Sequence, residues 1–195
     1  MKLYLRDLNP DLVQAWNRQF GGTPDVETSC GDIFDVVCDA IVSPANSFGF
    51  MDGGIDLLYS RHFGWDLQRR LRERIQHHFA GELVVGNATV LETGQSDIRW
   101  LVSAPTMRVP ENVAETVNAF LAFRAALLAV IAHNAVSADP IDSLLCPGLA
   151  TAVGRMPPAR CAYQMHAAWL AVREPPTAFN SLGHARGLQM AMLTR

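Results

Sequence analysis

The stretch AIVSPANSFGFMDGGID, residues 40–56, decides the fold of this chain. Its first three residues form a short apolar run, which is typical of a buried central strand. The remaining fourteen residues, SPANSFGFMDGGID at 43–56, contain one Asn, three Gly and two Asp. A helical pattern starts near Gly54, so the stretch predicts a strand, a glycine-rich loop and a helix N-terminus in succession.

Strand and helix patterns alternate on both sides of this stretch. Asn9 is a predicted N-cap with Pro10 at the first helical position. Further strands are predicted at 2–7, 25–30, 87–93, 98–105 and 143–147, and helices at 10–20, 54–60, 64–79, 111–133 and 157–172. The pattern is too weak to assign residues 177–195. Such alternation predicts an α/β fold with a largely parallel or mixed sheet covered on both faces.

Length and composition narrow the class of protein. A chain of 195 residues fits one domain, so we expect a single domain over 1–195 with its core at about 25–173. The net charge of −3 gives no basic field for duplex nucleic acid. No apolar window is long enough to span a membrane, and the first residues lack the continuous apolar segment of a secretory signal. We therefore expect a cytoplasmic protein that does not bind membranes.

The cysteines predict neither disulfides nor a metal site. Cys30, Cys38, Cys146 and Cys161 form no CxxC pair and have no histidine partner at zinc-ligand spacing. Reduced and mostly buried thiols are the expectation.

A second glycine-bearing stretch, GLATAVGRMPP at 148–158, follows the predicted strand at 143–147. Both loops therefore lead from a strand end into a helix N-terminus, the usual position of ligands in α/β sheets. Glycine-rich backbone and a helix N-terminus together bind phosphate or diphosphate without a lysine. The glycines of either loop alone could simply form turns, but two such loops favour a ligand site. Neither loop has the P-loop or GxGxxG sequence, and no serine lies in a GxSxG setting.

Four short motifs in order give a resemblance to a known family. They are Gly31-Asp32-Ile33, the segment DAIVSPAN at 39–46, the segment GGID at 53–56, and the segment PGLATAVG at 147–154. Over roughly residues 30–170 the chain resembles the macrodomains, in a divergent bacterial or phage-type branch. The resemblance implies a three-layer α/β/α fold with a central mixed sheet, and ADP-ribose as the ligand.

The resemblance also implies a role for each matching residue. Asp32 would accept a hydrogen bond from the adenine amino group, and the Ile33 amide would contact the same base. Asn46 would bind the hydroxyls of the distal ribose, and Phe179 is a candidate for stacking on adenine. The backbone amides of the two loops would hold the diphosphate. These loop residues are Gly53, Gly54 and Ile55 in the first loop, and Gly148, Leu149, Ala150, Thr151, Ala152, Val153 and Gly154 in the second.

Asp56 follows Asn46 by ten positions, as in hydrolytic macrodomains, so these two residues are the predicted catalytic pair. Asp56 would orient or activate the water that attacks the anomeric carbon of the distal ribose. The alternative is an ordinary first-turn aspartate favoured by the helix dipole. The chain departs from the family at Ser43, which replaces the first Asn of the usual pair, and at Val153, where an aromatic residue is common.

The resemblance therefore implies an ADP-ribosyl hydrolase that releases ADP-ribose from a modified macromolecule or small molecule, with no metal or cofactor. Three alternatives stay open at this point. One is a non-catalytic reader of ADP-ribose, and another is an ADP-ribose 1''-phosphate phosphatase. The third is an α/β protein that binds a different nucleotide or none.

Overall fold

Six strands form one sheet in the computed structural model, which describes residues 1–175 and 181–194. The strands are β1 (Lys2–Asp7), β2 (Val26–Cys30), β3 (Ala40–Ser43), β4 (Thr89–Glu92), β5 (Trp100–Ser103) and β6 (Ser143–Cys146). The helices are α1 (Pro10–Phe20), α2 (Gly54–Phe63), α3 (Asp66–His78), α4 (Asn118–Asn134), α5 (Pro158–Arg173) and α6 (Leu182–Leu193). Every predicted strand is present.

The strand order in the sheet is β2-β1-β6-β3-β5-β4. Neighbouring strands are parallel throughout, except that the edge strand β4 runs antiparallel to β5. The predicted mixed sheet is confirmed. Because β1, β2, β3, β5 and β6 run in one direction, their carboxyl ends lie at one edge of the sheet, which is where ligands of α/β folds bind.

Both faces of the sheet are covered by helices. Along β3, Val42 belongs to the hydrophobic cluster with α1, α4 and α5, whereas Ile41 belongs to the cluster with α2 and α3. This alternation follows from the two-residue period of a strand, in which successive side chains point to opposite faces. The three-layer α/β/α prediction is confirmed.

The hydrophobic core extends beyond the predicted core of 25–173. Leu3 and Leu5 of β1 and Trp16 of α1 are fully buried in it. Helix α1 begins as predicted, because the Asn9 side chain accepts a hydrogen bond from the Asp11 amide at 3.0 Å. The first twenty residues therefore contribute to both the sheet and one helical layer.

The prediction of a helix over 111–133 is wrong at its start and in part of its buried face. Helix α4 begins only at Asn118, after a turn in which the Thr116 amide donates to the Val113 carbonyl at 3.2 Å and the Val113 amide donates to the Gly154 carbonyl at 3.0 Å. The apolar pattern of the sequence places Leu128 and Ile131 on the sheet-facing side of this predicted helix, but both side chains are exposed. The buried positions of α4 are mostly alanines, namely Ala119, Ala122, Ala125 and Ala126, together with Phe123, Leu127 and Val130.

Helix α6 lies within residues 177–195, where the sequence pattern is too weak to predict an element. Its residue Met192 is buried, and the Met192 carbonyl accepts a hydrogen bond from Gln164 Nε2 of α5 at 3.2 Å. The candidate stacking residue Phe179 lies outside the described residues. Within the described ranges, no helix is both long and apolar enough to cross a membrane.

Candidate functional site

The two glycine-bearing loops leave the sheet side by side. The first loop, residues 44–53, joins β3 to α2, and the second loop, residues 147–157, joins β6 to α5. Strands β3 and β6 are parallel neighbours, paired at Ala40–Leu144 and Ile41–Leu145. The two loops and the N-termini of two helices therefore meet at one edge of the sheet.

The end of the first loop exposes open backbone. Gly53 is the N-cap of α2, and Gly54 follows it with a left-handed φ of 55°. Both glycines are exposed, and a Cβ atom placed on either would meet no heavy atom within 4 Å. The surface at the start of α2 is therefore open beside both glycines, and the helix dipole favours an anion at this end of the helix.

The start of the second loop is held by a carboxylate at the end of β1. Asp7 Oδ2 accepts a hydrogen bond from the Gly148 amide at 3.0 Å, and Asp7 Oδ1 accepts one from the Asn9 amide at 2.9 Å. A Cβ atom on Gly148 would lie 2.7 Å from Thr151 Oγ1 and 2.9 Å from Asp7 Oδ2. A side chain at Gly148 would therefore crowd these neighbouring side chains, and the Gly148 amide is already bound within the protein.

In the rest of the second loop, both ends are held by hydrogen bonds or packing, and residues between them are exposed to solvent. The Ala150 carbonyl accepts a hydrogen bond from the Met156 amide at 2.9 Å, and Ala150 adopts a left-handed φ of 62°. Gly154 is buried, and a Cβ atom there would lie 2.7 Å from Val113 Cγ2. Ala152 and Val153 are exposed. Among the predicted diphosphate contacts, the segment 151–153 is the part of this loop open to a ligand.

Asn46 organises the first loop through its side-chain amide. Asn46 Oδ1 accepts hydrogen bonds from the amides of Phe48 at 3.1 Å and Phe50 at 3.3 Å. Its Nδ2 donates to the Phe50 carbonyl at 2.9 Å. One of the two N–H donors of the Asn46 amide takes part in this network, so the other is left for a ligand.

Asp56 lies in the first turn of α2 with its side chain turned inward to the end of β3. The residue is 8% exposed, and the Ser43 hydroxyl donates to Asp56 Oδ1 at 2.5 Å. Burial raises the pKa of the Asp56 carboxyl to about 7, and the hydrogen bond from Ser43 opposes that shift. A carboxyl group with a pKa near neutrality is suited to accept a proton at physiological pH.

Asp32 lies at the carboxyl end of β2, three strands from β3 and therefore roughly 14 Å away across the sheet. Its side chain is exposed and accepts a hydrogen bond from the Phe34 amide at 3.0 Å, which caps the short 3-10 helix Ile33–Asp35. Its carbonyl accepts a hydrogen bond from Arg6 Nε at 2.6 Å. The Ile33 side chain is buried, so this residue can offer only its backbone to a ligand.

The sequence pattern did not reveal the structural roles of three residues in the site. They are Asp7, which holds the second loop, Arg6, which holds the segment around Asp32, and Ser43, which binds Asp56. The only signal for Asp7 was a carboxylate at the last position of a predicted strand. Ser43 was recognised as a departure from the family pattern but not as a partner of Asp56.

Two grooves of the described structure lie on the α3 side of the molecule. One, of about 490 Å³, lies between α3 and the edge strand β4 and includes Arg70 and Trp100. The other, of about 620 Å³, borders the first loop at Phe48 and Phe50, where the Arg72 guanidinium lies 4.4 Å from the Phe50 ring centre. Neither groove includes Asp56 or a residue of the second loop.

Comparison with known proteins gives the family. The model of the Macro domain family matches residues 42–165. An uncharacterized protein of Aquifex aeolicus is 29% identical over 68% of this chain and 73% of its own length. The macrodomain of Mycobacterium tuberculosis DarG superposes with a TM-score of 0.61 at 19% identity, covering 74% of this chain and 89% of that one. A mutant Oceanobacillus iheyensis macrodomain solved with ADPR superposes with a TM-score of 0.58 at 19% identity, covering 71% of this chain and 74% of that one. Because the family match spans well over half of the sequence, this chain belongs to the Macro domain family of ADP-ribose-binding modules.

Proposed function

We propose that this protein is an ADP-ribosyl hydrolase, which binds ADP-ribose across the two loops and releases it from a modified target. Membership of the Macro domain family supports the ligand, as does the ADPR in the Oceanobacillus iheyensis macrodomain. The reaction rests on the chemistry of the first turn of α2.

The diphosphate would be bound by backbone rather than by cationic side chains. The open amides at Gly53 and Gly54 and the exposed segment 151–153 supply N–H donors on two adjacent loops. The dipole of α2 adds a positive partial charge at the same point. Asp32, at the far end of the same sheet edge, would accept a hydrogen bond from the adenine amino group.

The distal ribose would then lie near Asn46 and the start of α2. In the proposed step, the oxygen of a water molecule bonds to the anomeric carbon while the bond from that carbon to the target breaks. The electron pair of the broken bond leaves with the target atom, which takes up a proton from solvent. Asp56 accepts a proton from the attacking water, and Asn46 orients the ribose through its remaining N–H.

One observation carries this proposal: a buried carboxyl group with a pKa of about 7 lies in the first turn of the helix whose open N-terminus would face the diphosphate. A structural aspartate at a helix N-terminus is normally solvated and keeps a low pKa. Perturbed carboxyl groups of this kind are concentrated in catalytic sites.

The test measures ADP-ribose release from substrates with defined linkages, to serine, arginine, carboxylate and nucleobase. The wild type is expected to release ADP-ribose from at least one of them. Asp56→Asn is expected to reduce turnover by roughly 10²-fold or more, because it removes the proton acceptor. Calorimetric titration of the same variant with ADP-ribose should show binding within a few-fold of the wild type. Equal turnover by the variant and the wild type would refute the proposed role of Asp56.

A second candidate function, a non-catalytic reader of ADP-ribose, is favoured by one observation. The Asp56 carboxylate points to Ser43 of the sheet and is only 8% exposed. A reader would bind ADP-ribose with the same loops and release none of it from any of the four linkages. Release of phosphate from ADP-ribose 1''-phosphate would instead reveal a phosphatase.

A further inference from the structure

Ser43 and Asp56 form a hydrogen-bonded polar pair in a largely apolar layer. Ser43 is the last residue of β3, two positions after Ile41, so its side chain points to the α2 face of the sheet. It is fully buried, and its hydroxyl lies 2.5 Å from Asp56 Oδ1. The pair joins the strand that begins the first loop to the helix that ends it.

No cation shares the surroundings of Asp56 among the described residues. The two influences on its carboxyl group are burial and the hydrogen bond from Ser43. From its own helix it is faced by Tyr59, whose hydroxyl donates to the Val42 carbonyl at 3.1 Å. Three further ionisable groups influence Tyr59 from the neighbouring strands and loops, namely Cys38, Cys146 and Asp7. Burial raises the pKa of Tyr59 and of both thiols, so these three groups are neutral at pH 7.

Ser103 provides a matched comparison within the same layer. It is the register partner of Ser43 on β5, so the two side chains point to the same face of the sheet. Ser103 is also fully buried, but within the described part of the chain its hydroxyl has no hydrogen-bond partner. Removing either hydroxyl deletes the same atom from the same layer, and only the Ser43 deletion removes a hydrogen bond to Asp56.

We propose that Ser43 is a positioning residue, which donates its hydroxyl to Asp56 and thereby holds that side chain in place as the ionised proton acceptor of the proposed hydrolysis. This inference rests on the proposed function. A carboxylate buried without a cation is poorly stabilised, and among the described residues Ser43, at 2.5 Å, is the one side chain that favours its charged form. Ser43 thus stands where macrodomains usually have an asparagine, and its role here is to hold Asp56.

The kinetic test is the pH profile of ADP-ribose release by the wild type, Ser43→Ala and Ser103→Ala. Loss of a hydrogen bond to a charged group is expected to move the acid limb of the Ser43→Ala profile upward by about one pH unit. Ser43→Ala would then be roughly tenfold slower than the wild type at pH 6 and nearly equal at pH 9. Ser103→Ala should keep the wild-type midpoint. A rate lowered by the same factor at every pH would overturn the proposal.

A second measurement is independent of turnover. The ¹³C resonance of the Asp56 carboxyl, assigned by its loss in Asp56→Asn, is followed against pH in the same three proteins. An upward shift of its midpoint in Ser43→Ala, with none in Ser103→Ala, supports the proposal, and coincident midpoints in all three overturn it. If the wild type hydrolyses no linkage, the hydrolase function fails and this titration alone decides whether Ser43 controls Asp56.

Discussion

As the pH rises from 4 to 8, this protein should lose stability relative to its Asp56→Asn variant. Burial raises the pKa of this acid from its usual 3.8 to about 7, so the folded state binds the proton more tightly than the unfolded chain. The stabilisation from a protonated Asp56 is therefore fully present below about pH 4 and is lost as the pH rises to about 7. Asn carries no charge in either state and has no such dependence.

The size of the effect follows from the shift. Each pKa unit corresponds to about 1.4 kcal/mol, so about three units amount to roughly 4 kcal/mol between pH 4 and pH 8. Relative to Asp56→Asn, the wild type should therefore lose roughly 4 kcal/mol of unfolding free energy over that range. The pH-independent part of the difference in unfolding free energy depends on how the Asn side chain fits against Ser43. The decisive quantity is therefore the change of that difference with pH.

Urea denaturation followed by the fluorescence of the four tryptophans measures this slope at pH 4, 5, 6, 7 and 8. Asp66→Asn is the control with no expected slope. Hydrogen bonding to Arg69 is the main cause that lowers the pKa of the exposed Asp66 carboxyl below its usual 3.8, so this group is ionised in both states above about pH 4, and the stability curve of this variant should run nearly parallel to that of the wild type from pH 4 to 8. Parallel stability curves for the wild type and Asp56→Asn would refute the reasoning, because Asp56 would then titrate alike in both states.

Two further predictions concern the loops. Gly148→Ala should destabilise the fold by about 1–3 kcal/mol, because the new Cβ lies 2.7 Å from Thr151 Oγ1, and its melting temperature should fall by several degrees. Gly53→Ala is the control, since its Cβ meets nothing within 4 Å, and it should melt close to the wild type. Equal melting temperatures of the wild type and both variants would contradict the packing argument. Asn46→Ala should make the first loop more mobile, because it removes three hydrogen bonds to the backbone of Phe48 and Phe50. Limited proteolysis should then cleave near these residues faster than in the wild type. An unchanged digestion pattern would show that packing alone orders the loop.

The strands and the fold class were predictable because the sheet is buried on both faces. Central strands such as β3 are continuous apolar runs, and Asn9 and Pro10 fix the start of α1 by local chemistry alone. Helix α4 was predicted less well because its buried face is largely alanine, whereas Leu128 and Ile131 suggested a different face. The residues before it form a turn at 113–116, and the bond from the Val113 amide to Gly154 is a tertiary contact that no local pattern reveals.

The candidate site was predictable in position but not in its internal contacts. Glycines after two apolar runs marked both loops. Gly54 adopts a left-handed φ of 55°, and Gly148 and Gly154 lie where an added Cβ atom would crowd its neighbours. The pairing of Ser43 with Asp56 depends on how α2 lies against β3, and the bond from Gly148 to Asp7 spans 141 positions of sequence. Such contacts are fixed by tertiary packing and leave no periodic signal.

The most direct test of the account is isothermal titration of the wild type and Gly53→Val with ADP-ribose, with ADP as the reference ligand. Gly53 has an extended φ of −142° and open space beyond it, so valine there should block the start of α2 without straining the backbone. We predict saturable binding of ADP-ribose by the wild type, tighter than that of ADP, and binding weakened at least tenfold in Gly53→Val. No saturable binding by folded wild type, or equal affinities in the two proteins, would contradict the claim that these loops form an ADP-ribose site.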